Sequence, residues 1–387
     1  MVPFYFFLTS MLLALLIVWK GGSSKIKLTD PQAVGVAFGV GAGVALVIAT
    51  FFIPFLHRKI IKQDWELKTW EVIKGPLLLR RPEPSPAPEG HTGLPDFYAG
   101  HLTAEQLEAK RAGEAHVITG DVEKGAASAV NPTGNSSDSD IITSEIAQPS
   151  RQLSRPKKIP PPGPWYSPAV AFYWMKYAAL RGVEQDVVDQ QNHRDFLSGD
   201  IEKTHATGEH FDNRAEYTYS FLQILTASTT SFAHGANDVS NAIGPYTTIY
   251  FIWSTAKISS KVPVPLWILA FGGAGIVIGL WTYGYNIMRA LGNKITLHSP
   301  ARGFSMELGA VVTIIMATKL ALPVSTTQCI AGATVGVGLC NGTWRSINWR
   351  MIAWIYMGWI VTLPCAGIIS GCLMGIVLNA PRWGNGV

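Results

Sequence analysis

An all-α polytopic membrane protein is what this sequence predicts, and three observations predict it. Of its 387 residues, 48% are hydrophobic and only 15% charged, against about 25% charged in soluble domains. Long apolar runs lie toward both ends of the chain. Between them sits one extended stretch rich in Pro, Ser, Gly, Asp and Glu. The reading is about six transmembrane helices plus a re-entrant hairpin, interrupted by a large cytoplasmic loop. Residues 1–56 supply two helices. Residues 57–214 form a cytoplasmic, partly disordered loop with an interfacial helix near 165–180, and 215–387 form a C-terminal helical repeat.

Phe4 to Trp19 is almost wholly apolar. It lacks the preceding basic residues and the cleavage site of a signal peptide, so it reads as a short membrane helix. Asp30-Pro31 opens a second span, Ala33 to Phe55. There Gly35, Gly39 and Gly43 recur every four residues, with Gly41 beside them, a small-residue spacing that lets helices approach closely or simply reflects the glycine content of membrane helices. His57, Arg58, Lys59 and Lys62 follow at once and mark the cytoplasmic side. From Arg80 to Pro164 the composition cannot bury enough apolar surface to fold alone. That stretch is expected to be disordered, and deleting residues 82–149 is expected to leave the bundle intact. Ser136, Ser137, Ser139 and Ser154 lie in acidic or basic surroundings that a kinase reads, with solvated linker as the alternative. Trp165 to Leu180 mixes six aromatic residues with Lys176, which suits a helix lying in the membrane interface. Gly182 to Asn213 reads as a charged helical arm with His193, His205 and His210 in solvent.

The stretch Thr226 to Pro245 is polar in the middle of an apolar segment of membrane length: Gly235, Asn237, Asp238 and Asn241 sit between Tyr217–Leu225 and Ile249–Trp253. A carboxylate at that depth costs about 2.5–3.5 kcal/mol on insertion scales and is rarely idle. Gly235 and the Asn-Asp pair are expected to let the helix break, exposing backbone groups that then line a cavity or site. A soluble helix N-cap is the other reading of the Asn-Asp pair. Leu266 to Met288 is the next span, and Arg289, Lys294 and Arg302 mark a cytoplasmic loop. Gly303 opens a helix running to about Leu322, with Glu307 near its start, where an acid favours a helix N-terminus. Pro323 ends it. Ser325-Thr-Thr-Gln328 then precedes a run too short and glycine-rich for a comfortable span, which fits a hairpin. The tip of that hairpin would present N–H groups and three hydroxyls at a positive helix end, a site for an anion; ordinary capping and interhelix contacts are the alternative. Trp349 to Leu378, with Pro364 central, is one kinked span or two short segments.

Gly235-Ala-Asn-Asp-Val-Ser-Asn-Ala242 resembles the signature of the inorganic phosphate transporter family, and Leu322-Pro-Val-Ser-Thr-Thr-Gln328 resembles its re-entrant hairpin motif. The order and spacing of the two also match, and the wording from Arg181 onward is most like that of the fungal sodium–phosphate symporters. The resemblance implies a secondary transporter of inorganic phosphate coupled to a cation, sodium rather than protons, in the plasma membrane. A proton-coupled symporter and an anion channel or phosphate receptor remain as alternatives. Asn237, Ser325, Thr326 and Thr327 carry hydrogens for phosphate oxygens. Asp238 suits a cation bridging it to the anion, with Asn241 and Gln328 adding neutral oxygens; many family members have histidine where Gln328 stands. For Glu307 the resemblance adds an ion or gating role. Family members carry the signature twice, in inverted repeats, and this chain carries it once. The expectation is therefore half of an inverted-repeat transporter, an N-terminally truncated copy that is inactive alone.

The expected partners are phosphate, sodium or protons, and the lipid bilayer; a homo-oligomer is left open. No nucleotide loop supports an ATP-driven pump. His234 is the single candidate for an intramembrane base and has no nucleophile beside it, so no enzyme is expected. The net charge of +5 suits loops facing anionic lipid rather than nucleic acid. Cys329, Cys340, Cys365 and Cys372 have no metal spacing and read as packing residues. No cofactor is expected, nor any metal beyond the transported cation.

Overall fold

The computed structural model describes residues 1–19, 28–86, 94–112, 164, 167–179, 199–284, 287, 291–292, 294–320 and 322–379, and the described residues are helical with no strand. The principal helices are α1 (Val2–Trp19), α2 (Asp30–Ile61), α3 (Pro168–Ala179), α4 (Ile201–Ala206), α5 (Asn213–Thr255), α6 (Leu266–Gly284), α7 (Pro300–Lys319), α8 (Thr326–Leu339) and α9 (Trp349–Asn379). By length and apolarity, α1, α2, α6 and α9 can each cross a bilayer. The polar helices α5 and α7 pack side by side, with α1 against both and α6 against α5. Ser136, Ser137, Ser139, Ser154 and His193 lie outside the described residues.

α1 and α2 form a hairpin. Thr29 opens α2, its backbone N–H held by the Gln32 carboxamide at 3.0 Å, with Pro31 in the first turn, where the missing N–H costs nothing. The close approach to α1 does not run along Gly35, Gly39 and Gly43, all of which face open space. It runs along Ala33, Ala37 and Gly41, which are buried. A Cβ on Gly41 would lie 2.9 Å from the Phe7 carbonyl oxygen. The stripe has the four-residue period that the sequence shows, two residues out of phase with the glycines, because alanine serves as well as glycine at a helix contact.

Aromatic residues with Leu222 then join the hairpin to α5 and α7: Phe6, Phe52, Phe55, Tyr217, Leu222 and Phe304 belong to one cluster. Farther along, Leu16 of α1 packs on Ala233 of α5 and on Val311, Ile314 and Ile315 of α7. At that end Lys319 pairs with Asp30 and lies 4.6 Å from the Trp19 ring, so α1, α2 and α7 are tied by one cation. At the other end Arg58 is buried. It donates to the Leu78 carbonyl at 2.8 Å and to that of Pro82 at 3.3 Å, fixing the turn after α2 rather than reaching toward lipid headgroups.

Two loop expectations are corrected. Residues 94–112 are not idle linker but are docked on the bundle. The Tyr98 hydroxyl donates to Glu216 of α5 at 2.7 Å, and the Phe97 N–H donates to Asn213. Arg111 pairs with Asp200 and Lys110 with Glu202. Composition counted the polar residues of this segment but not the one aromatic that fits a slot. His205 is 2% exposed rather than solvated, and His210 stacks on Tyr98 at 4.4 Å. α3 does carry exposed Phe172, Trp174 and Tyr177 beside Lys176, as an interfacial helix would. α9 is one continuous helix through Pro364.

Two outcomes follow from this packing. Gly41→Leu should lower stability by about 1–3 kcal/mol through overpacking, read as a lower melting midpoint in detergent, while Gly39→Leu leaves the midpoint unchanged. Tyr98→Phe removes a buried donor to the Glu216 carboxylate and should cost about 1–3 kcal/mol. Protease sensitivity within 94–112 would rise with it. Equal protease resistance in wild type and variant would show that this contact does not hold the segment.

Candidate functional site

The polar face of α5 does not lie on a broken helix. α5 runs without interruption from Asn213 to Thr255, through Gly235 and Pro245, about 64 Å at 1.5 Å per residue. Its hydroxyls explain part of this. Ser228, Thr229, Ser240 and Thr248 each donate to the carbonyl four residues earlier, at 2.7–3.0 Å, so they need no partner outside the helix. Asn237 and Asp238 meanwhile find partners across the interface. A break is needed only if polar side chains have nothing opposite them, and here they do.

What lies opposite is the turn between α7 and α8. Pro323 stops the chain from continuing as helix, and Ser325 then caps α8, its hydroxyl oxygen accepting from the Gln328 N–H at 3.4 Å. The Val324 carbonyl, left over at this turn, accepts from the Asn237 amide at 2.9 Å and from the Asn241 amide at 3.4 Å. One residue on, the Thr326 hydroxyl donates to the Asp238 carboxylate, 3.1 and 3.3 Å from its two oxygens. Asn237 and Thr326 are each 5% exposed. Asp238 and Thr327 are half-buried, and Ser325, Gln328 and Asn241 are exposed. One side of the cluster is therefore closed by the α5–α8 contact and the other is open.

Six of the seven residues expected to bind substrate or cation are brought together here, and Gln328 lies at the exposed edge. One Asn237 amide hydrogen is directed to the Val324 carbonyl, and the Thr326 hydroxyl donates to Asp238. Among the described residues the side-chain oxygens of Asn237 and Asn241 accept no hydrogen bond. With the Asp238 carboxylate they give three oxygens of the kind hard cations take. The hydroxyl hydrogen of Ser325, that of Thr327 and the first N–H groups of α8 remain for an anion.

Glu307 is not at a helix start. It sits two turns inside α7, faces α5, and accepts from the Thr226 hydroxyl at 2.5 Å, while Thr230 reaches its backbone carbonyl at 3.5 Å. Thr226 precedes Asp238 by 12 residues, so this second polar contact lies about 18 Å away along α5. Sequence reasoning missed Thr226 and Val324. Thr226 belongs to the polar stretch but is outnumbered by similar hydroxyls, and a backbone acceptor leaves no mark in a sequence. His234, one turn before Asp238, is half-buried, and its Nε2 has no hydrogen-bond partner among the described residues.

The model of the phosphate transporter family matches residues 1–370. The chain belongs to that family. Among its relatives, the phosphate-repressible phosphate permease pho-4 of Neurospora crassa is 54% identical, in an alignment covering 99% of this chain and 68% of the permease. The human sodium-dependent phosphate transporter 1 is 45% identical over 41% of this chain, which is 23% of that transporter. A solved structure titled as the sodium-dependent phosphate transporter superposes with a TM-score of 0.41 at 28% identity, covering 55% of this chain and 49% of that one. These relatives are named as transporters and permeases, not enzymes, and the fold is that of a helical membrane protein.

The interface has a direct check. Asn237→Ala leaves the partly buried Val324 carbonyl with only the longer Asn241 bond and should cost about 0.5–1.5 kcal/mol. A cysteine placed at Ser325 should then react faster with a membrane-impermeant thiol reagent than in the otherwise unchanged protein.

Proposed function

We propose that this chain carries a sodium–phosphate symport site at the contact between α5 and the α7–α8 turn. Asp238, with the amide oxygens of Asn237 and Asn241, takes the cation, and Gln328 adds an oxygen at the edge. Ser325, Thr327 and the α8 N-terminus take phosphate. Thr326 bridges the two by fixing the carboxylate. The single observation that carries this reading is the Thr326–Asp238 hydrogen bond, because it holds an acid against a helix N-terminus inside an apolar bundle. An acid there without a cation would repel phosphate; with one, the two charges are bound together, which is what coupling requires.

Sodium is favoured over protons by the printed names of the sodium-dependent relatives, and the plasma membrane is the setting in which such uptake serves a cell. Glu307, about 18 Å away along α5, is assigned a gating or second ion role through its bond to Thr226.

Labelled-phosphate uptake by cells expressing the protein tests the assignment. Uptake should fall when sodium is replaced by choline and persist when a protonophore is added; the reverse pattern would make protons the coupling ion. Thr326→Ala, which removes a group that orients a ligand rather than the ligand itself, should lower uptake about 10–100-fold, and Asp238→Asn should abolish it. Wild-type uptake in both variants, with the protein at the membrane, would overturn the site.

A further inference from the structure

The docked segment 94–112 brings a group of histidines to the N-terminal ends of α5 and α7. His101 of the segment lies against His205 of α4, with ring centroids 5.5 Å apart. His210, in the chain leading to α5, stacks on Tyr98. His298 precedes α7. A ring nitrogen in each of His101, His210 and His298 is buried without a hydrogen-bond partner among the described residues: Nδ1 of His101, Nε2 of His210 and Nδ1 of His298.

The charges that face these rings come from every side of the junction. Arg302 of α7 faces His210 and His298; it is 3% exposed, donates to the Glu209 carbonyl at 2.6 Å and the Asn341 side chain at 2.8 Å, and has no carboxylate within ion-pair distance among the described residues. His210 faces His101, and Asp96 faces both. Glu216 of α5 is engaged by the Tyr98 hydroxyl and by the Ala301 N–H at 2.9 Å. Asp200 and Glu202 of α4 are engaged by Arg111 and Lys110. Among the described residues Asp96 is the acid that acts on these rings, and it is outweighed by a buried guanidinium at His210 and by His210 itself at His101. A proton added to His101, His210 or His298 therefore gives a charged ring beside like charge, on a nitrogen with nothing to donate to.

We propose that residues 94–112 form a proton-sensitive latch: the segment is docked on α5 and α7 while the histidines at its seam are neutral, and it is released when its surroundings acidify. Tyr98 is the bolt, since its hydroxyl joins the segment to Glu216 of α5, accepts from the Phe211 N–H at 3.2 Å, and lies 3.4 Å from Arg302 of α7. Release would free the starts of the two helices that carry the site and Glu307.

The sign is set by the direction of the shifts. Burial holds His101, His210 and His298 below the ordinary histidine value, with like charge adding to it in each. The undocked state thus binds more protons. Docking is fully favourable above about pH 6.5 and weakens as pH falls below it.

Hydrogen exchange of the full protein in lipid nanodiscs at pH 7.5 and pH 5.5, corrected for the intrinsic pH dependence of exchange, tests this. Amides of 94–112 in wild type should be protected at pH 7.5 and exchange at least about tenfold faster at pH 5.5. His101→Phe with His210→Phe keeps the rings' shape, cannot titrate, and should hold protection at pH 5.5; His210→Phe alone should retain part of it, and serves if the double variant fails to fold. Tyr98→Ala should lose protection at both pH values. Protection of wild type that is equal at the two pH values, or loss at pH 5.5 that is equal in wild type and in His210→Phe, would overturn the proposal.

Discussion

One carbonyl oxygen, that of Val324, organises the heart of this molecule. It stands where Pro323 has ended one helix and Ser325 begins the next, so no intrahelical donor reaches it. A partly buried acceptor at a contact between helices is stabilised by a donor from the facing helix. Two amides spaced one turn apart on α5, Asn237 and Asn241, donate to it. That spacing puts both on one face of a helix, and Asp238, between them in sequence, is set against Thr326. The turn and the signature helix satisfy each other. Neither could be buried alone.

This mutual satisfaction also decides how straight α5 is. Sequence reasoning treated Gly235 and the Asn-Asp pair as places for a break, since helix-weakening residues beside polar ones often mark an unwound segment. The inference was physically sound but incomplete. Unwinding frees backbone groups to meet ligands or one another, and here the side chains alone meet the partner element, leaving the ladder intact. The same limit explains the two-residue error in the α1–α2 contact. Glycine is conspicuous in a sequence, yet the interface only asks for small residues, and Ala33 and Ala37 meet that need.

Much was legible nonetheless. Helices at 2–19, 30–61, 266–284, 300–319 and 349–379 fall where hydropathy and their Pro and Asp signals put them, because membrane helices are specified by local composition. The signature and hairpin residues also meet as their polarity in apolar surroundings demanded. What could not be read were contacts between distant parts of the chain that depend on fit. Tyr98 and Glu216 are 118 residues apart, and neither stands out among its neighbours. The buried His205 lies in a stretch whose composition is that of a solvated arm. Composition reports averages, and a docking contact is made by the exception.

A straight α5 places the burden of movement elsewhere. The site is closed on one side by three side-chain hydrogen bonds, from Asn237, Asn241 and Thr326, with hydrophobic contact below them at Ala233, Val311 and Ile314. Each such bond contributes about 0.5–1.5 kcal/mol net, so the three together amount to a few kcal/mol. That is the size of the free-energy gap between two conformations that a bound ligand can bias. Rewinding a broken helix would instead exchange many backbone bonds at once. The apolar layer below, made of α1, α5 and α7, is close-packed and is also tied at its end by Lys319 to Asp30 and Trp19. The rigid part of the machine is therefore the α1–α5–α7 core. The part whose attachment is light enough for a cation and an anion to reset is the turn that carries Val324 and Thr326.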